Sequence, residues 1–494
     1  MKLASLLSVG AHICQPGSEG FKNAKRRFVS GWAAPAFDTV VEVATVEDVQ
    51  NTVRYANEHD KPFLALSGRH GFTKSLGEMK NGIGINMRHM NDVAIAEDGK
   101  SATVGGGITS KELTDLLWAQ GKQSTVGACE CTGIVSPMLG GGHGFLKGRY
   151  GLMTDNLISA DVVLANGSAI TVSESQHPDL FWAMRGAGQN FGIVTSFEYK
   201  IYDRTPENEL WSYDLMIFAT DKLEAVYEVA EKQRQTAPVE FGNWGFVVPI
   251  PDIDPTVHSL IFTVFYQGSK LPSEYTDPFH ALGPIVSTPN VTEFPGLSSA
   301  LGLGKPPYIS SSNPSLPGLS SPVCQTDGPS YATYPVNLES YNPAALREAV
   351  DILQSTPPDL HFSSMLIEGY SGEAVRAVPE ASTAFPHRKQ GILIGNFINW
   401  PRERTDLEGQ ARDYGVRIQE ALVRGSEDGR LHSYVNYAAG NEGMEALWGY
   451  EPWRLEKLRK LKKLYDPHGK FNFYLPINGV ASGGKGGYEG KTEL

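Results

Sequence analysis

One histidine and two cysteines, set among glycines, are the residues of this 494-residue chain best suited to do chemistry. Cys129 and Cys131 precede a glycine-rich run, and His70 stands in the segment Ser67-Gly-Arg-His-Gly71. Helices and regular strands do not tolerate so much glycine, so both segments are predicted to be loops whose backbones approach a ligand. Such loops typically hold an anionic group such as a phosphate. The residues predicted to hold the ligand are Ser67, Gly68, Arg69, Gly71, Gly133, Gly140, Gly141 and Gly142.

Several kinds of chemistry remain open for His70 and Cys129. A zinc site needs more ligands at suitable spacing, and Cys129-x-Cys131 is not the C-x-x-C pattern. A catalytic thiol–imidazole pair is conceivable, but it leaves the two glycine loops without a purpose. Purely structural roles are the usual default for such residues. A cofactor clamped between the loops and tethered covalently through both side chains explains all the features together.

Composition limits the partners of the protein. The net charge of −12 argues against nucleic acid, which requires a basic surface. No apolar stretch approaches the length of a membrane span. Four cysteines are too few for a disulfide framework, although a pairing of Cys14 with Cys324 is left open. The stretch Leu3–Ala11 has a weak apolar core for a secretion signal, so an intracellular location is favoured over a secreted one.

The elements before each loop follow from local patterns. The sequence predicts a strand over Asp38–Ala44 and then a helix that Thr45 caps. A strand at 62–66 leads into the loop of His70. Thr109 and Glu112 form a capping-box pattern for a helix at 110–120, which precedes the loop of the cysteines.

The pattern changes near residue 205, where longer strands alternate with long helices. Strands are predicted at 210–219, 241–250, 258–267, 361–370 and 391–400, and helices at 222–236, 343–354 and 405–423. This order favours the α+β class, with one sheet covered by helices on one face. A long loop is expected at 295–330, a short strand at Tyr434–Tyr437, a helix at 450–464 and a loose tail at 479–494.

These motifs, in this order, resemble those of the berberine bridge enzyme-like flavoprotein oxidases of the vanillyl-alcohol oxidase/p-cresol methylhydroxylase (PCMH) superfamily. The matching segments are Ser67–Gly71, Gly127–Cys129 with the glycine triplet from Gly140, Tyr150–Asn156, Asp179–Thr195, Thr383–Arg388, Tyr434–Tyr437 and Tyr465–Pro467. The resemblance implies FAD attached twice, through His70 to the flavin 8-methyl carbon and through Cys129 to flavin C6. It implies a PCMH-type FAD-binding domain in two parts, 1–205 and 428–494, and a substrate domain with an antiparallel sheet at 206–427. Further cofactor contacts implied in this way are His143, Asp155, Gly192, Ile193, Val194 and Asn436.

The resemblance also implies oxidation of a small organic substrate, such as a secondary metabolite, an alcohol or a carbohydrate. Hydride would pass to flavin N5, and O2 would be reduced to H2O2 by a monomeric enzyme. Because strand 391–400 lacks the acid common in relatives, Tyr437 is the expected base, with Asn436 and Tyr434 positioning it. Asn396 and Asn399 are candidate substrate contacts. The alternatives are a dehydrogenase that reacts poorly with oxygen, a non-redox cyclase with structural FAD, and a non-catalytic binding protein.

Overall fold

The computed structural model describes residues 2–27, 32–71, 73–251, 253–303, 324 and 328–477, without the side chains of 254–256. The predicted tail at 479–494 and most of the predicted loop at 295–330 lie outside the described residues. No helix within the described residues is both long and apolar enough to cross a membrane.

The first 203 residues form three small sheets. Their strands are β1 (His12–Cys14), β2 (Phe37–Glu42), β3 (Phe63–Leu66), β4 (Gly82–Asn86), β5 (Val93–Ile95), β6 (Ser101–Gly105), β7 (Lys122–Gln123), β8 (Leu157–Val163), β9 (Ala169–Ser173), β10 (Ile193–Lys200) and β11 (Tyr202–Asp203). Their helices are α1 (Glu19–Lys25), α2 (Val46–Glu58), α3 (Ser110–Ala119), α4 (Val135–Leu139), α5 (Lys147–Tyr150) and α6 (Pro178–Ala187). The first sheet has the order β1-β2-β4-β3, the second β5-β6-β10-β8-β9, and β7 pairs with β11.

The elements that present the two loops agree with the predictions. Thr45 caps α2 by accepting a hydrogen bond from the Asp48 amide at 3.2 Å. The Thr109 amide donates to the Glu112 carboxylate at 2.9 Å, which is half of the predicted capping box before α3. β3 ends at Leu66, so the chain turns directly into the loop of His70. Both predicted helices, and the strand before the first loop, are therefore confirmed.

The middle of the chain forms one large antiparallel sheet. Its strands are β12 (Leu210–Ala219), β13 (Phe241–Ile250), β14 (Asp254–Gln267), β15 (Val286–Glu293), β16 (Ser330–Thr333), β17 (Val336–Leu338), β18 (Ser364–Tyr370) and β19 (Ile392–Trp400). Its order is β15-β12-β14-β13-β18-β19-β16, and β17 also pairs with β19. The helices of this region are α7 (Leu223–Arg234), α8 (Asp277–His280), α9 (Phe294–Ala300), α10 (Pro343–Gln354), α11 (Glu373–Ala377) and α12 (Glu408–Arg424).

The two faces of this sheet bury different partners. Along β18, Met365 and Ile367 pack with α7, α10 and α12, whereas Leu366 and Tyr370 pack with the N-terminal part of the chain. This period of two is what a strand buried on both faces requires. The α+β class, with an antiparallel sheet covered by helices, is confirmed. The face of the sheet that packs with the N-terminal part also forms a wall of the functional site.

The C-terminal segment returns to the N-terminal part. Here α13 (Met444–Trp448) and α14 (Pro452–Tyr465) follow a turn rather than a strand. The predicted strand at Tyr434–Tyr437 is wrong, because the Tyr437 amide donates back to the Tyr434 carbonyl at 2.9 Å and closes a turn. One apolar core unites residues of all three predicted domain segments, so the boundaries at 205 and 428 stay a prediction.

Candidate active site

The two glycine loops touch each other. A Cβ atom on Gly68 would lie 2.2 Å from the Gly133 nitrogen, and one on Gly133 would lie 2.7 Å from Ser67 Oγ. Ser67 Oγ in turn donates to the Gly107 carbonyl at 2.9 Å. Glycine is needed at both positions because the backbones of the two loops pack without room for a side chain. The predicted pair of loops therefore forms one continuous wall.

His70 and the cysteines meet on this wall. His70 Nε2 lies 3.3 Å from Cys131 Sγ, and Cys129 Sγ lies 3.4 Å from Cys131 Sγ. The reacting atoms of the three residues all lie within 4.8 Å of one another. His70 Nδ1 lies 2.7 Å from the Gly68 carbonyl oxygen, so Nδ1 carries the proton and Nε2 is the basic nitrogen. Both His70 and Cys129 line a single deep cavity.

One of the two cysteines beside His70 is part of a disulfide bond. Cys131 is bonded to Cys324, and Cys129 Sγ lies 3.7 Å from Cys324 Sγ. The pairing of Cys14 with Cys324 that the sequence left open is wrong, and Cys14 is a buried free thiol beside Gly20. Cys129 is the free thiol at the cavity, and burial raises its pKa. Among the described residues, the one cluster with metal-ligand geometry is this one, and the disulfide leaves it two ligands, too few for zinc.

Arg69 holds its loop in an unusual backbone conformation. Its backbone is left-handed, with φ of 60°, a conformation that glycine adopts readily and that strains other residues. Its guanidinium donates to the Asn23 carbonyl, so the side chain ties the loop to the N-terminal segment.

The opposite wall supplies an acid that sequence reasoning missed. Glu368, on β18, is 2% exposed and lines the cavity. Tyr437 donates its hydroxyl to Glu368 Oε1 at 2.9 Å, and Tyr370 donates to Oε2 at 2.7 Å. Burial raises the pKa of Glu368. Burial, and next the Glu368 charge, raise the pKa of Tyr437 well above its ordinary value.

The acid was sought in strand 391–400, but the fold places it on the adjacent strand. Glu368 pairs with Leu393 of β19 and with Trp244 of β13. The sequence feature that could have indicated this acid is a lone glutamate inside the apolar run Met365-Leu-Ile-Glu-Gly.

The predicted positioning residues hold the turn at 434–437 against the glycine triplet. Asn436 Nδ2 donates to Tyr434 Oη at 2.7 Å and lies 2.9 Å from the Pro137 carbonyl. The Gly142 amide donates to the same tyrosine oxygen at 3.1 Å. Burial raises the pKa of Tyr434. Tyr434 and Asn436 also line the cavity, so their contacts fix the wall next to Tyr437.

The glycine triplet packs against protein rather than against the cavity. Cβ atoms on Gly140, Gly141 and Gly142 would meet the side chains of Asn436, Phe385 and Met153 at 2.4–2.6 Å. Gly141 and Gly142 also have φ of 114° and 83°. The triplet therefore lets three neighbouring segments approach, and it is absent from the described lining of the cavity.

His143 lines the cavity and contributes an imidazole N–H group. Lys147 Nζ donates to His143 Nδ1 at 2.7 Å, so the imidazole proton resides on Nε2. Within the described part of the chain, no partner bonds Nε2, although His143 is only 8% exposed. Burial and the charge of Lys147 lower the pKa of His143 well below its ordinary value, which keeps it neutral. A buried N–H donor is thus available to a bound ligand.

Besides the glycine triplet, three more predicted site residues do not line the described cavity. Asp155 forms a buried ion pair with Arg388 at 2.8 Å, and this pair links the N-terminal part to the segment before β19. Asn396 faces the helix-covered side of β19 and donates to the Tyr334 carbonyl at 2.7 Å. Asn399 donates to the Phe362 carbonyl at 2.8 Å, farther along the strand. The alternation of β19 turns Phe397, and not Asn396, towards the cavity.

Two further groups of residues line the cavity. Gly192, Ile193 and Val194, predicted as cofactor contacts, are in the first group, and a Cβ on Gly192 would lie 2.3 Å from Val162 Cγ1. The wall formed by the large sheet and its neighbouring segments is mainly apolar. Its described side chains include Trp244, Leu303, Tyr331, Leu366 and Phe397.

These features fit FAD. An imidazole and a thiol stand together at the crossing of the loops, and the N–H of His143 faces the same cavity. Gly192 and the apolar rings of Phe37 and Phe471 line the same cavity. A large cofactor with a reactive ring system and apolar contacts matches these groups.

Comparisons with known proteins agree with this site. A family model described as an FAD binding domain matches residues 37–173, which include both loops. The FAD-linked oxidoreductase chyH of Penicillium rubens is 37% identical over 96% of this chain and 93% of its own length.

Two solved structures share the fold. Physcomitrella patens BBE-like 1 has a TM-score of 0.81 at 20% identity and covers 98% of this chain and 99% of its own. Glucooligosaccharide oxidase from Acremonium strictum, whose FAD is described as 6-S-cysteinyl, 8α-N1-histidyl, has a TM-score of 0.76 at 21% identity, covering 97% of this chain and 98% of its own.

The fold and the site thus define an FAD-dependent oxidoreductase. The chain belongs to the family of FAD-linked oxidoreductases, and it shares its fold with a berberine bridge enzyme-like protein. It is therefore an enzyme, and the non-catalytic binding protein considered from the sequence is excluded.

Proposed function

We propose that this protein is an oxidase that holds FAD through two covalent bonds, one to His70 and one to Cys129. The observation that carries the proposal is the distance between their reacting atoms, which lie within 4.8 Å on two different loops. The flavin 8-methyl carbon and C6 belong to the same end of one ring system, so residues bonded to both must lie close to each other. The disulfide at Cys131 supports Cys129 as the attached cysteine, because a sulfur already in a disulfide is not a free nucleophile.

The other contacts to FAD are assigned by their positions on the cavity. Gly68 and Gly133 would let the loop backbones approach the cofactor, and His143 would donate its Nε2–H to a polar atom of it. Gly192 to Val194 would pack along its length.

Bound FAD supplies the acceptor for the electrons of a substrate C–H bond and passes them to O2, which yields H2O2. The chain itself must remove the substrate proton. Tyr437 is placed to accept it while its own hydroxyl proton passes to Glu368 over 2.9 Å. The substrate loses its proton to the phenol oxygen, and the carboxylate becomes neutral, so the charge on Tyr437 does not change.

The described substrate wall favours a small organic molecule with a flat apolar body and one O–H or N–H group. Trp244, Leu366 and Phe397 offer apolar surface, and the proton acceptors near them are Tyr437 and Glu368. A molecule with hydroxyls on every carbon would leave several of them without partners against this wall, at about 1–3 kcal/mol each. A secondary metabolite or an alcohol is therefore favoured over a carbohydrate. The monomeric state stays a prediction.

Acid precipitation tests the two bonds. The wild-type protein should stay yellow after precipitation and washing, and its denatured mass should exceed the polypeptide mass by one FAD. His70→Ala and Cys129→Ala should each keep the flavin through the other bond, whereas the double variant should release all of it. Cys14→Ala is the matched control, because Cys14 is also a buried free thiol but lies away from the cavity. Flavin that remains attached to the double variant would disprove the assignment.

Anaerobic mixing with a reactive substrate separates the oxidase from its alternatives. The oxidase should lose its visible flavin band and regain it on admission of air, with one H2O2 formed per turnover. Bleaching without rapid recovery in air would indicate a dehydrogenase. Product formation without bleaching would indicate a cyclase with structural FAD.

A further inference from the structure

We propose that Lys147 is a positioning residue of this site: its ammonium group balances the carboxylate of Glu368 and fixes the imidazole of His143 with Nε2–H towards the cavity. The role in catalysis rests on the function proposed above, whereas the pairing itself can be measured on the protein alone. Neither the sequence patterns nor the family resemblance singled out this lysine.

Lys147 is a lysine almost without exposed surface. It is the first residue of α5 and is 1% exposed. Its Nζ lies 2.7 Å from His143 Nδ1 and 4.4 Å from the centroid of the Tyr370 ring. An ammonium group over an aromatic face is attracted to the ring, but ring and imidazole are both neutral. A buried cation needs a counter-charge, because burial without one is costly.

Glu368 supplies that counter-charge. Its carboxylate receives hydrogen bonds from Tyr370 and Tyr437, one on each oxygen, and it is 2% exposed. The Tyr370 ring that Lys147 faces therefore carries the hydroxyl that binds Glu368. Cation, ring and carboxylate form one buried group, with Tyr437 at its cavity end.

The described groups that act on Lys147, His143 and Glu368 come from several elements. The glycine loop contributes His143, β18 contributes Glu368 and Tyr370, α11 contributes Arg376, and the C-terminal turn contributes Tyr434 and Tyr437. His387 acts on His143 from the segment before β19. Burial, and to a smaller degree Arg376, lower the pKa of Lys147, while Glu368 opposes that fall. The charge of Lys147 likewise lowers the pKa of Glu368 against the effect of burial.

Two consequences for the reaction follow. Glu368 can accept a proton from Tyr437 only while it is ionised, and Lys147 extends the pH range in which it is. The donated hydrogen bond from Lys147 also sets the His143 tautomer, so His143 offers a donor and not an acceptor to the cavity. Loss of Lys147 should therefore affect proton removal and cofactor contact together, without direct contact between Lys147 and the substrate.

A double-mutant cycle on the flavin-containing enzyme tests the pairing. Lys147→Met and Glu368→Gln should each lower the midpoint of thermal unfolding at neutral pH, because each leaves a buried group without its partner. The double variant should lose much less than the sum of the two. Lys460→Met is the control, since Lys460 is exposed on α14 and its loss should leave the midpoint unchanged. Losses that simply add would overturn the pairing.

The pH profile of turnover tests the positioning role. In Lys147→Met the acid limb of kcat should move upward by roughly one pH unit or more, because the pKa of Glu368 rises when the nearby cation is lost. KM should change little, since Lys147 does not line the described cavity. An unshifted limb in a folded, flavin-containing variant would overturn this role, because a purely structural lysine would lower stability and leave the limb in place.

Failure to fold is also decisive. Should Lys147→Met not fold, the double variant with Glu368→Gln should fold, because it contains no unpaired buried charge. Failure of both, with Glu368→Gln folding normally, would disprove the pairing. These outcomes differ from failure of the proposed function, which would appear as flavin released by acid or as no bleaching by substrate.

Discussion

Tyr437 holds its proton too tightly to serve as a base by itself. Burial and the adjacent carboxylate raise its pKa well above the ordinary value, so the phenolate is not populated near neutral pH. In the mechanism that we propose, Glu368 accepts the hydroxyl proton of Tyr437, and the phenol transfers the substrate proton onward. Both members of this pair line the cavity.

We expect Tyr437→Phe and Glu368→Gln each to lower the rate of anaerobic flavin reduction by about 10²-fold or more, the usual contribution of a positioned base. The reason is that either change interrupts proton transfer while leaving the cavity nearly unchanged in shape. Stopped-flow absorbance of the flavin band measures the rate, and the covalently bound flavin reports that the site is assembled.

Tyr227→Phe provides the control for this pair of variants. Its hydroxyl is buried in the core of the large sheet, and within the described chain it has no hydrogen-bond partner. The substitution should leave the reduction rate unchanged. A Tyr437→Phe enzyme as fast as the Tyr227→Phe enzyme would remove Tyr437 from the mechanism.

The sequence indicates Tyr437 as a candidate base through its resemblance to a family motif, and that role stays a prediction. The sequence does not indicate Glu368, because the order of strands in a sheet cannot be read from a chain. Only the pairing of Glu368 with Leu393 and Trp244 brings it beside the turn of Tyr437. Asn396 does not line the described cavity for a related reason. Its side chain points to the face of β19 that the helices cover, and the sequence does not show which face that is.

At the scale of elements, the glycine loops depend on each other. Gly68 and Gly133 lie where the backbones of the two loops are in close contact, so each loop packs against the other. Local patterns predicted both loops and the helices that precede them. They did not predict that the two loops contact each other. This contact joins segments more than sixty residues apart, and neither segment contains a sequence pattern that indicates it.

We expect Gly68→Ala to reduce both stability and covalent flavin, because its Cβ would lie 2.2 Å from the Gly133 nitrogen and must push the loops apart. Overpacking of this kind costs about 1–3 kcal/mol. The midpoint of thermal unfolding and the ratio of flavin to protein absorbance measure the two effects.

Gly409→Ala, in α12, is the control for a change from glycine to alanine. A Cβ at this position would meet nothing within 4 Å, and Gly409 does not line the described cavity. The variant should bind flavin like the wild type. Equal flavin content in the two alanine variants would show that the crossing of the loops does not govern attachment.

The turn at 434–437 shows why local reading fails at this scale. Tyrosine and valine are enriched in strands, and Tyr434-Val-Asn-Tyr437 contains three such residues. The structure instead bends the segment, because Tyr434 and Asn436 are both engaged by the glycine triplet region. Tertiary contacts outweigh the propensity of four residues.

At the scale of the whole molecule, the Cys131–Cys324 disulfide joins the loop of Cys129 to the segment that precedes β16. The sequence separation of 193 residues makes it a long-range cross-link between the cofactor side and the sheet side. Cysteine counts alone could not reveal it, since four cysteines admit several pairings and only the fold selects one.

We expect the double variant Cys131→Ser/Cys324→Ser to be less stable by roughly 2–5 kcal/mol, because the cross-link restricts the unfolded chain. Replacing both cysteines avoids a new thiol beside Cys129. Denaturant unfolding of the flavin-containing protein measures the change, and Cys14→Ser serves as the control for loss of a buried cysteine. Equal stability of the double variant and the wild type would show that the cross-link is not needed by the fold.

Three sulfur atoms within 3.7 Å of one another also have a practical consequence for anyone who makes this enzyme. A bacterial cytoplasm keeps thiols reduced, and there Cys131 and Cys324 would be nucleophiles standing next to the site intended for Cys129. Preparations from such a host would then contain mixtures of wrongly bonded and correctly bonded chains. In an oxidising secretory pathway the Cys131–Cys324 disulfide would form first. Cys129 would then be the one free thiol of the three that is left to react with the cofactor.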